Sequence, residues 1–486
     1  MPAISPQDIG SLQSLRDFSG GQINEVVDAL LPENTMRLIQ NMDTDVVGAL
    51  RVRSGTTAIG NQIQDNKVAL GLYNFRDSGS GSNSRQIAFF NNAGDTNTIG
   101  YYNSAGTWTQ ISGASFSANA KVRFTTFADY VFFVTSAFSS PQSWNGDTAT
   151  SLGSTHLSSA PSGQFINVFK SRLYIAGTSA NPDRVSFSSI ISSAGVISWV
   201  AADGAGSLDV NPSDGMNITG LANTGTLLLI FKERAMYRWN GSSTDANLVV
   251  DVGTTSQESI ATRNGIVFFF NPYGIYVTSG GYPQRISKSI QRWIDAISGS
   301  YYDDVAGVCD DDHYYCSIGD VTVDGIAYSN VVLVYTISSR TWTVRTYPEQ
   351  IRLFANYINS SSRYSIMAGN DDGDVLDFNV GSTDAGVRIP YRVQTKRLDF
   401  GAFAFIKRFS QVFMFVDKLP GATTYIQVDD GESVAERKGI VGWFMRFFGH
   451  EHRGRYFVLE VIGESVDGQG ELHGWEITDL TITGYI

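Results

Sequence analysis

The sequence repeats one unit, in which a continuous apolar run leads through a tight turn into an alternating run rich in aromatic residues. The clearest copies span residues 227–241 and 266–281, and both end on glycine. An apolar run, a turn and an alternating run together are typical of a β-hairpin whose first strand is buried on both faces. The repetition restricts the fold to architectures built from many similar hairpins.

The spacing of this unit indicates the kind of repeat. Its seven candidate starts have a mean spacing of about 46 residues, which is typical of four-stranded propeller blades and too long for leucine-rich or ankyrin repeats. These starts are Ile87, Tyr130, Arg172, Leu227, Ile266, Tyr314 and Tyr364. We therefore predict a six- or seven-bladed β-propeller. The wide gap after Arg172 leaves room for an insertion or an irregular blade, and a set of unrelated sandwich hairpins is the alternative.

Several units also end on a tryptophan followed by turn residues, and a tryptophan at a blade edge can fill the wedge between neighbouring sheets. These tryptophans are Trp108, Trp144, Trp199, Trp239 and Trp342, of which Trp144 and Trp239 are each followed by Asn-Gly.

Composition agrees with an all-β protein. Glycine is abundant, with 49 residues, and aromatic residues make up 12% of the 486, which suits short strands and turns. Two cysteines cannot form a disulfide scaffold, and neither a signal peptide nor a membrane helix is recognisable, so we expect folding in cytoplasm. A net charge of −12 argues against a surface that grips phosphates.

Three regions are expected: an N-terminal arm with a short helix (1–67), the propeller (68–386) and a β-sandwich (387–486). Residues 16–24 are polar and interrupted by glycine, which predicts an extended arm. Pro32 suits a first helical turn, and Met36, Ile39 and Gln40 would then share one helix face. The arm is also a candidate to supply a strand that closes a larger body.

Two further elements are predicted in the second half of the chain. Ser287 is a candidate cap for a helix whose apolar residues Ile290, Trp293, Ile294 and Ile297 have helical spacing. In the C-terminal region, five longer alternating runs predict the sandwich. The apolar segment 443–448 between them is either another strand or an exposed loop that meets a neighbouring subunit.

Several segments resemble, in order, parts of a family of tailed-bacteriophage proteins, the podovirus tail nozzles (tail tubular protein B) and the packaged-DNA stabilisation or tail hub propellers. They are DFSGG at 17–21, LPE at 31–33, Asn41, GALRVRSG at 48–55, SGG at 279–281 with RIS at 285–287, and TKRLDFG at 395–401 with KR at 407–408. The resemblance covers nearly the whole chain.

The resemblance implies a virion structural protein rather than an enzyme. Such a protein forms a ring, expected to be a homohexamer, in the virion tail below the portal and adaptor, and the genome passes through it during DNA ejection. Its implied partners are copies of itself, the adaptor or portal, other tail proteins or fibres, and genomic DNA that passes without tight binding. The candidate subunit contacts are the two stretches with no evident purpose inside one subunit, represented by Phe18, Gly20, Gly21, Trp443, Phe444 and Phe447.

No catalytic or cofactor-binding set is recognisable. The turns ending at Trp108 and Trp342 have only the end of a sialidase Asp-box, and no Gly-x-Ser-x-Gly elbow accompanies the five histidines. Cys309, His313 and Cys316 have a spacing that a metal could use, but they fall in an expected strand pair without a fourth ligand. We therefore expect no metal and no other cofactor.

Two acidic runs, at 310–312 and 370–374, could offer oxygen ligands to calcium, but Asn, Asp and Gly between apolar strands are ordinary hairpin-turn chemistry. Two functional alternatives remain. One is a glycan-binding or glycan-cleaving propeller of the receptor-binding or sialidase-like kind, since exposed aromatic residues can stack on sugars. The other is a cytoplasmic scaffold propeller.

Overall fold

The computed structural model describes residues 12–26, 30–44, 48–78, 83–192, 195–359, 363–402, 404–419, 422–431, 433–438, 444–465, 470–478 and 480–485. Nearly all regular structure in these residues is β-strand. The N-terminal region contributes five strands: β1 (Leu12–Leu15), β2 (Met36–Gln40), β3 (Met42–Asp43), β4 (Leu50–Val52) and β5 (Thr56–Ala58).

Seven antiparallel sheets follow one another along the chain as the blades of a propeller. Blade 1 contains β6 (Ala69–Phe75), β7 (Arg85–Asn91), β8 (Asn97–Ser104) and β9 (Thr107–Ser117), and blade 2 contains β10 (Val122–Phe127), β11 (Tyr130–Thr135) and β12 (Gln142–Trp144). Blade 3 contains β13 (Gly163–Phe169), β14 (Arg172–Thr178), β15 (Arg184–Phe187) and β16 (Gly206–Asp209), and blade 4 contains β17 (Ile218–Asn223), β18 (Leu228–Lys232), β19 (Met236–Trp239) and β20 (Asn247–Val250). Blade 5 contains β21 (Ala261–Arg263), β22 (Ile266–Asn271), β23 (Gly274–Thr278) and β24 (Gln284–Arg285). Blade 6 contains β25 (Ala306–Cys309), β26 (His313–Val323), β27 (Ile326–Thr336) and β28 (Thr341–Thr346), and blade 7 contains β29 (Ile351–Ile358), β30 (Tyr364–Asn370) and β31 (Val375–Phe378).

Buried side chains close these sheets into a ring. Each pair of adjacent blades shares one hydrophobic cluster, and the cluster between blades 7 and 1 joins Met367 and Val375 to Leu72 and Phe90. Strand β5 completes blade 7 by pairing antiparallel with β31, so that Phe378 lies opposite Thr56. The expectation that the N-terminal region supplies a closing strand is confirmed.

The β-propeller prediction is confirmed, and the blade number is seven. Each of the seven predicted starts lies in the second strand of a blade, or one residue before it in the case of Leu227. Second strands are the easiest to recognise because they are buried on both faces, as in β18, where every residue is buried. The gap after Arg172 contains an insertion between β15 and β16, with a 3-10 helix at Ala201–Asp203.

The predicted tryptophans lie in the wedges between blades: Trp108, Trp144, Trp239 and Trp342 belong to clusters shared by adjacent blades, and Trp199 packs against another such cluster. Trp144 and Trp239 end the third strands of blades 2 and 4, and each belongs to the cluster shared with the preceding blade. The glycines of the two Asn-Gly turns have φ angles of 78° and 82°. A Cβ atom on Gly146 or Gly241 would meet a phenylalanine that ends the inner strand of the preceding blade, which explains why glycine stands there.

The C-terminal strands form a sandwich with the N-terminal ones. They are β32 (Pro390–Thr395), β33 (Phe405–Asp417), β34 (Thr423–Val428), β35 (Ser433–Lys438), β36 (Phe444–Gly454), β37 (Phe457–Glu464), β38 (Glu471–Thr478) and β39 (Thr481–Tyr485). One sheet has the order β3-β4-β38-β33-β36, with β1 also on β38 and β39 also on β33. The other has the order β2-β32-β37-β34-β35 and continues into blade 6, where Gln40 pairs in parallel with Val344.

Two expectations for the N-terminal region are wrong. Residues 36–40 form strand β2 rather than a helix, because Ile39 and its neighbours pair with β32 and fill a gap in the sheet. The region is also not a separate arm, since Phe18, Met36 and Leu50 belong to the same buried core as Trp475. The sandwich therefore needs both ends of the chain.

The predicted helix after Ser287 is present but short. A 3-10 turn at Ser287–Ile290 leads into α1 (Gln291–Asp295), and 3-10 turns also occur at Gln257–Ser259 and Gly299–Asp304. All four of its predicted apolar residues are buried between blades 5 and 6. Ser287 does not cap the helix, because its hydroxyl accepts a hydrogen bond from the amide of Ile275 in strand β23.

Candidate functional site

The joint between the sandwich and the propeller is built around Asn41, which has a φ of 56° between β2 and β3. Its Nδ2 donates to the carbonyl oxygen of Pro390 at 2.6 Å and to the hydroxyl of Thr346 at 2.8 Å. Its Oδ1 accepts from the Arg53 Nε at 2.9 Å and from the Thr346 amide at 2.8 Å. One amide side chain thus ties the start of the sandwich strand β32 to blade 6 and to β4.

Arg53 forms the main ion pair of the joint. Its two terminal nitrogens reach the two carboxylate oxygens of Asp384 at 2.9 and 2.6 Å, and both side chains are almost completely buried. The guanidinium also lies over the ring of Tyr347, 4.1 Å from its centroid, and donates to the carbonyl oxygen of Thr346. A bidentate pair with its remaining donors satisfied is the geometry in which a buried arginine is well tolerated.

A second buried pair lies beside the first. Arg345 of blade 6 contacts Asp43 of β3 through Nη2 at 2.9 Å, and its Nη1 donates to the Asn379 side chain in blade 7. Burial opposes the charge of Arg345, but Asp43 together with the side chains of Tyr347 and Tyr315 outweighs this effect and raises the pKa of the guanidinium well above its usual value. The two pairs fix the orientation of the sandwich on blades 6 and 7.

The predicted contact residues of the arm are packed inside the chain. Phe18 is fully buried and meets Trp475 edge to face, with the ring centroids 5.7 Å apart. A Cβ atom on Gly20 would lie 2.5 Å from the Thr35 side chain, and one on Gly21 would lie 2.5 Å from Thr341. The premise that this stretch has no purpose inside one subunit is therefore wrong, because it forms part of the sandwich core and of the joint.

The other predicted contact segment is partly described. Trp443 lies outside the described residues. Phe444 and Phe447 belong to β36, where they pair with Phe415 and Val412 of β33. From Phe444 onward the segment is a strand, which confirms the strand interpretation and not the exposed loop. A role of this strand in subunit contact stays a prediction.

A second polar cluster lies on the propeller axis. Arg123, in the inner strand of blade 2, contacts Glu258 at 2.8 Å, just before the inner strand of blade 5. Lys121 contacts Asp304, before blade 6, at 2.7 Å, and Arg352 of blade 7 approaches the same aspartate at 3.9 Å. We call these five residues the axial cluster. Because blades 2 and 5 are not neighbours in the ring, the pair between them spans the axis.

The axial cluster keeps Glu258 ionised. Burial raises the pKa of Glu258, but the charges of Arg123 and Lys121 more than compensate and lower that pKa to about 2. The Glu258 side chain also accepts from the hydroxyl of Ser256. These contacts pair the charges of the axial cluster between blades.

The residues weighed as metal ligands do not assemble a site. Burial raises the pKa of both Cys309 and Cys316 to about 12, so both thiols stay protonated. The carboxylate of Asp310 accepts the backbone amides of Asp312 and His313, as in a hairpin turn. In the part of the chain that the structure describes, no three His, Cys, Asp or Glu side chains are placed to hold a metal ion.

The second acidic run is also a turn. The side-chain oxygen of Asn370 accepts hydrogen bonds from the backbone amides of Asp372 and Asp374, and Gly373 has a φ of 88°. This confirms the hairpin interpretation of residues 370–374. Sequence reasoning predicted no contact for Asn41, Asp384 or Glu258, because their partners lie far away along the chain.

Comparison with known proteins gives no family. No family model matches the sequence, and no curated protein matches it. Among solved structures, the extracellular domain of the putative one component system BT4673 from B. thetaiotaomicron is similar over 89% of this chain, with 11% identity and a TM-score of 0.41; this chain covers 61% of that one. The Neurospora crassa Pan2 WD40 domain matches over 67% of this chain and 94% of its own, with 7% identity and a TM-score of 0.38. The N-terminal domain of Nup159 matches over 70% of this chain and 98% of its own length, with 11% identity and a TM-score of 0.37. The fold assignment itself rests on the seven sheets and their shared clusters.

None of the helices in the described residues has the length and apolarity needed to span a membrane.

Proposed function

We propose that this chain is a structural subunit of a bacteriophage tail ring, a nozzle or hub that closes the head below the portal and adaptor and lets DNA pass during ejection. The observation that carries the proposal is a convergence in space. The segments that resemble the phage family are separated by up to several hundred residues in the sequence, yet residues of several of them meet in the sandwich and its joint with the propeller.

The first contacts of this convergence lie inside the sandwich. Lys396, in the TKRLDFG segment, donates to the carbonyl oxygen of Leu31 in the LPE segment at 2.6 Å. Met36 pairs with Thr395 across strands β2 and β32. Leu398 belongs to the same buried core as Phe18 of the DFSGG segment.

The mid-propeller segment joins the same assembly. Trp342 donates its indole N–H to the carbonyl oxygen of Ile286 at 2.9 Å, while its own carbonyl oxygen accepts the amide of Gln22 at 2.9 Å. The backbone amide of Asn24 donates a hydrogen bond to the carbonyl oxygen of Ser289, in the 3-10 turn before α1. Trp342 thus connects Ile286 of the RIS segment to Gln22, the residue that follows the DFSGG segment.

The joint has properties that suit a ring subunit. Buried bidentate ion pairs and a sheet that continues from blade 6 into the sandwich hold the two bodies in one orientation. A ring that closes with fixed symmetry requires subunits of fixed shape, because a heterologous interface closes only if each rotation is the same. We accordingly propose homo-oligomerisation, and contacts with the adaptor or portal and with other tail proteins.

Purified particles of the phage that encodes this chain provide the test. We expect mass spectrometry of intact particles to detect the chain in a fixed ratio to the portal protein, and electron microscopy to place a propeller ring at the tail. Particles that lack the chain, with full infectivity, would refute the proposal. Binding of the purified chain to a glycan array, or hydrolysis of a glycan, would instead favour the receptor-binding or sialidase-like alternative.

A further inference from the structure

The dipeptide Asn-Gly occurs three times in the propeller, and the structure holds these turns in two different ways. They are Asn145-Gly146, Asn240-Gly241 and Asn264-Gly265. The first two follow the third strands of blades 2 and 4, and the last joins β21 to β22 in blade 5. Because glycine has no Cβ atom, its backbone nitrogen is open to close approach by the asparagine side chain before it.

A tryptophan clamps each of the first two turns. The indole N–H of Trp144 donates to the carbonyl oxygen of Asp147 at 3.0 Å and to that of Thr150 at 3.2 Å. The indole N–H of Trp239 donates to the carbonyl oxygen of Ser243 at 2.8 Å. Both indoles are buried in wedges between blades, so each fixes the turn that follows it.

The asparagine side chains of these two turns are also held in place. The Oδ1 of Asn145 accepts hydrogen bonds from the amide of Asp147 at 3.1 Å and from the hydroxyl of Thr150 at 2.9 Å. The Oδ1 of Asn240 accepts from the backbone amides two and three residues later, both at 2.9 Å. Neither side chain can reorient without losing these bonds.

The turn at Asn264 lacks both kinds of clamp among the residues that the structure describes. Arg263 stands where the other two turns have tryptophan, and the exposed Asn264 side chain makes no hydrogen bond to any described residue. The φ angles of 50° and 76° at Asn264 and Gly265 are those of a two-residue hairpin turn. Only the last pair of a three-residue strand, Arg263 with Ile266, closes it. A terminal pair opens locally at little cost, so this turn is the one of the three that can change its geometry.

We infer that Asn264 is a site of spontaneous deamidation and that the fold protects the two tryptophan-clamped asparagines from the same reaction. The backbone nitrogen of Gly265 loses its proton to solvent base and attacks the Cγ of Asn264. The bond from Cγ to the side-chain nitrogen then breaks, and ammonia leaves with a proton from solvent. Water opens the resulting cyclic imide to an aspartate or an isoaspartate. The rate depends on how often Cγ and the nitrogen reach the geometry of attack. The inference is independent of the proposed function.

The reaction changes a contact among three blades. Arg263 of blade 5 donates through Nε and Nη2 to Asp311 in the first turn of blade 6, at 2.9 and 2.6 Å. Its guanidinium also lies over the ring of Tyr364 in blade 7, 4.8 Å from the centroid. Deamidation places a new carboxylate on the residue next to Arg263, and an isoaspartate adds one atom to the backbone of the turn. The charge and the geometry of this contact therefore change as the protein ages.

Peptide mapping of the full chain by mass spectrometry measures the reaction at all three turns in one sample. The folded protein is incubated at physiological temperature and mildly alkaline pH in water enriched in heavy oxygen, which labels only residues that deamidate during the experiment. We expect Asn264 to deamidate about tenfold or more faster than Asn145 and Asn240, because the hydrogen bonds at each protected Oδ1 must break before attack. Asn264→Asp supplies the standard for the aspartate product, and Asn264→Gln should remove the signal.

The denatured chain is the matched control, because glycine follows each of the three asparagines and the fold no longer distinguishes them. We expect similar rates at all three there. Thr150→Val removes the hydroxyl that bonds Asn145, so it should raise deamidation at Asn145 and leave the rate at Asn264 unchanged.

Three results would overturn the inference: an Asn264 that stays intact in the folded protein, equal rates at the three turns, or the same order of rates in the denatured chain, which would assign the selectivity to local sequence. An unchanged rate at Asn145 in folded Thr150→Val would overturn the protection by hydrogen bonds.

Discussion

Arg123 and Glu258 form an ion pair of 2.8 Å across the propeller axis, between blades that do not touch each other in the ring. Arg123 also donates to the carbonyl oxygen of Gln164 in blade 3 and lies over the ring of Phe165, 4.5 Å from its centroid. The pair therefore links three blades.

The first prediction concerns the energy of this pair. Arg123→Met leaves Glu258 largely buried without its nearest cation, so we expect the free energy of unfolding to fall by about 3 kcal/mol or more. Arg123→Met combined with Glu258→Gln should recover much of that loss, because the uncompensated charge is removed as well. Urea unfolding of wild type, both single variants and the double variant gives the coupling energy. Losses that simply add in the double variant would show that the two residues do not depend on each other.

The second prediction is a pH dependence of stability. The folded-state pKa of Glu258 is about 2, below its ordinary value of 4.5. A depressed folded pKa means that the contribution is fully present above about pH 4.5 and is lost as the pH falls toward about 2. We expect the free energy of unfolding of wild type to decrease more steeply in this window than that of Glu258→Gln. Parallel pH profiles of the two proteins would contradict the assignment.

The third prediction concerns the joint. Asp384→Asn removes the partner of a completely buried Arg53 and should destabilise the protein by about 3 to 5 kcal/mol. Asp384 also lies next to Ala385 and Gly386, both at positive φ, in the connection that enters the sandwich. We therefore expect limited proteolysis to cut this connection much faster in the variant. Arg388→Gln is the control. Arg388 and Glu464 are both more than half exposed and 4.0 Å apart, and an exposed ion pair of this kind contributes little to the free energy of unfolding.

The fourth prediction concerns truncation. The sandwich core joins N-terminal residues such as Phe18 and Leu50 to residues of 387–486, so neither part of the chain contains the whole core. Phe18 is fully buried against Trp475, so Phe18→Ala should cost about 3 to 5 kcal/mol. We expect the isolated fragment 387–486 to be unfolded by circular dichroism. Adding residues 12–53 on a linked or separate chain should restore strand structure, and a fragment that folds without them would contradict the shared core.

The propeller could be predicted from sequence because its signal is local. A second strand such as β22 shows as five consecutive apolar residues between turn residues, whatever its neighbours are. The joint could not be predicted in this way. Asn41, Arg53 and Asp384 are ordinary polar residues of a turn, a strand end and a loop, and only the fold brings residues 53 and 384 together.

Residues 36–40 were misread for a related reason. Met36, Ile39 and Gln40 fit a helix period, and the segment reads as a strand only once β32 is available to pair with it. Pairing partners supplied by distant parts of the chain override a weak local preference. The same limitation explains why Phe18 was assigned to the surface.

The last prediction concerns DNA, and charge decides it. Residues 387–486 contain 12 Lys and Arg against 13 Asp and Glu, a net charge of −1, so the rest of the chain carries −11. Several of these basic residues are already paired, such as Arg392 with Glu460 and Arg397 with Asp430. These pairs reduce the positive charge that the described sandwich offers to phosphates.

Tight phosphate contacts would also oppose the proposed role, because each contact would slow a moving genome. A protein that makes six or more phosphate contacts loses about a thousandfold in affinity between low and physiological salt. We expect the purified chain to bind a fluorescent duplex no more tightly than micromolar at about 50 mM salt, which is the range of non-specific binding. Fluorescence anisotropy measures this directly, with a basic DNA-binding protein as the positive control. Nanomolar binding that weakens steeply with salt would mean that the chain anchors the end of the DNA rather than letting it pass.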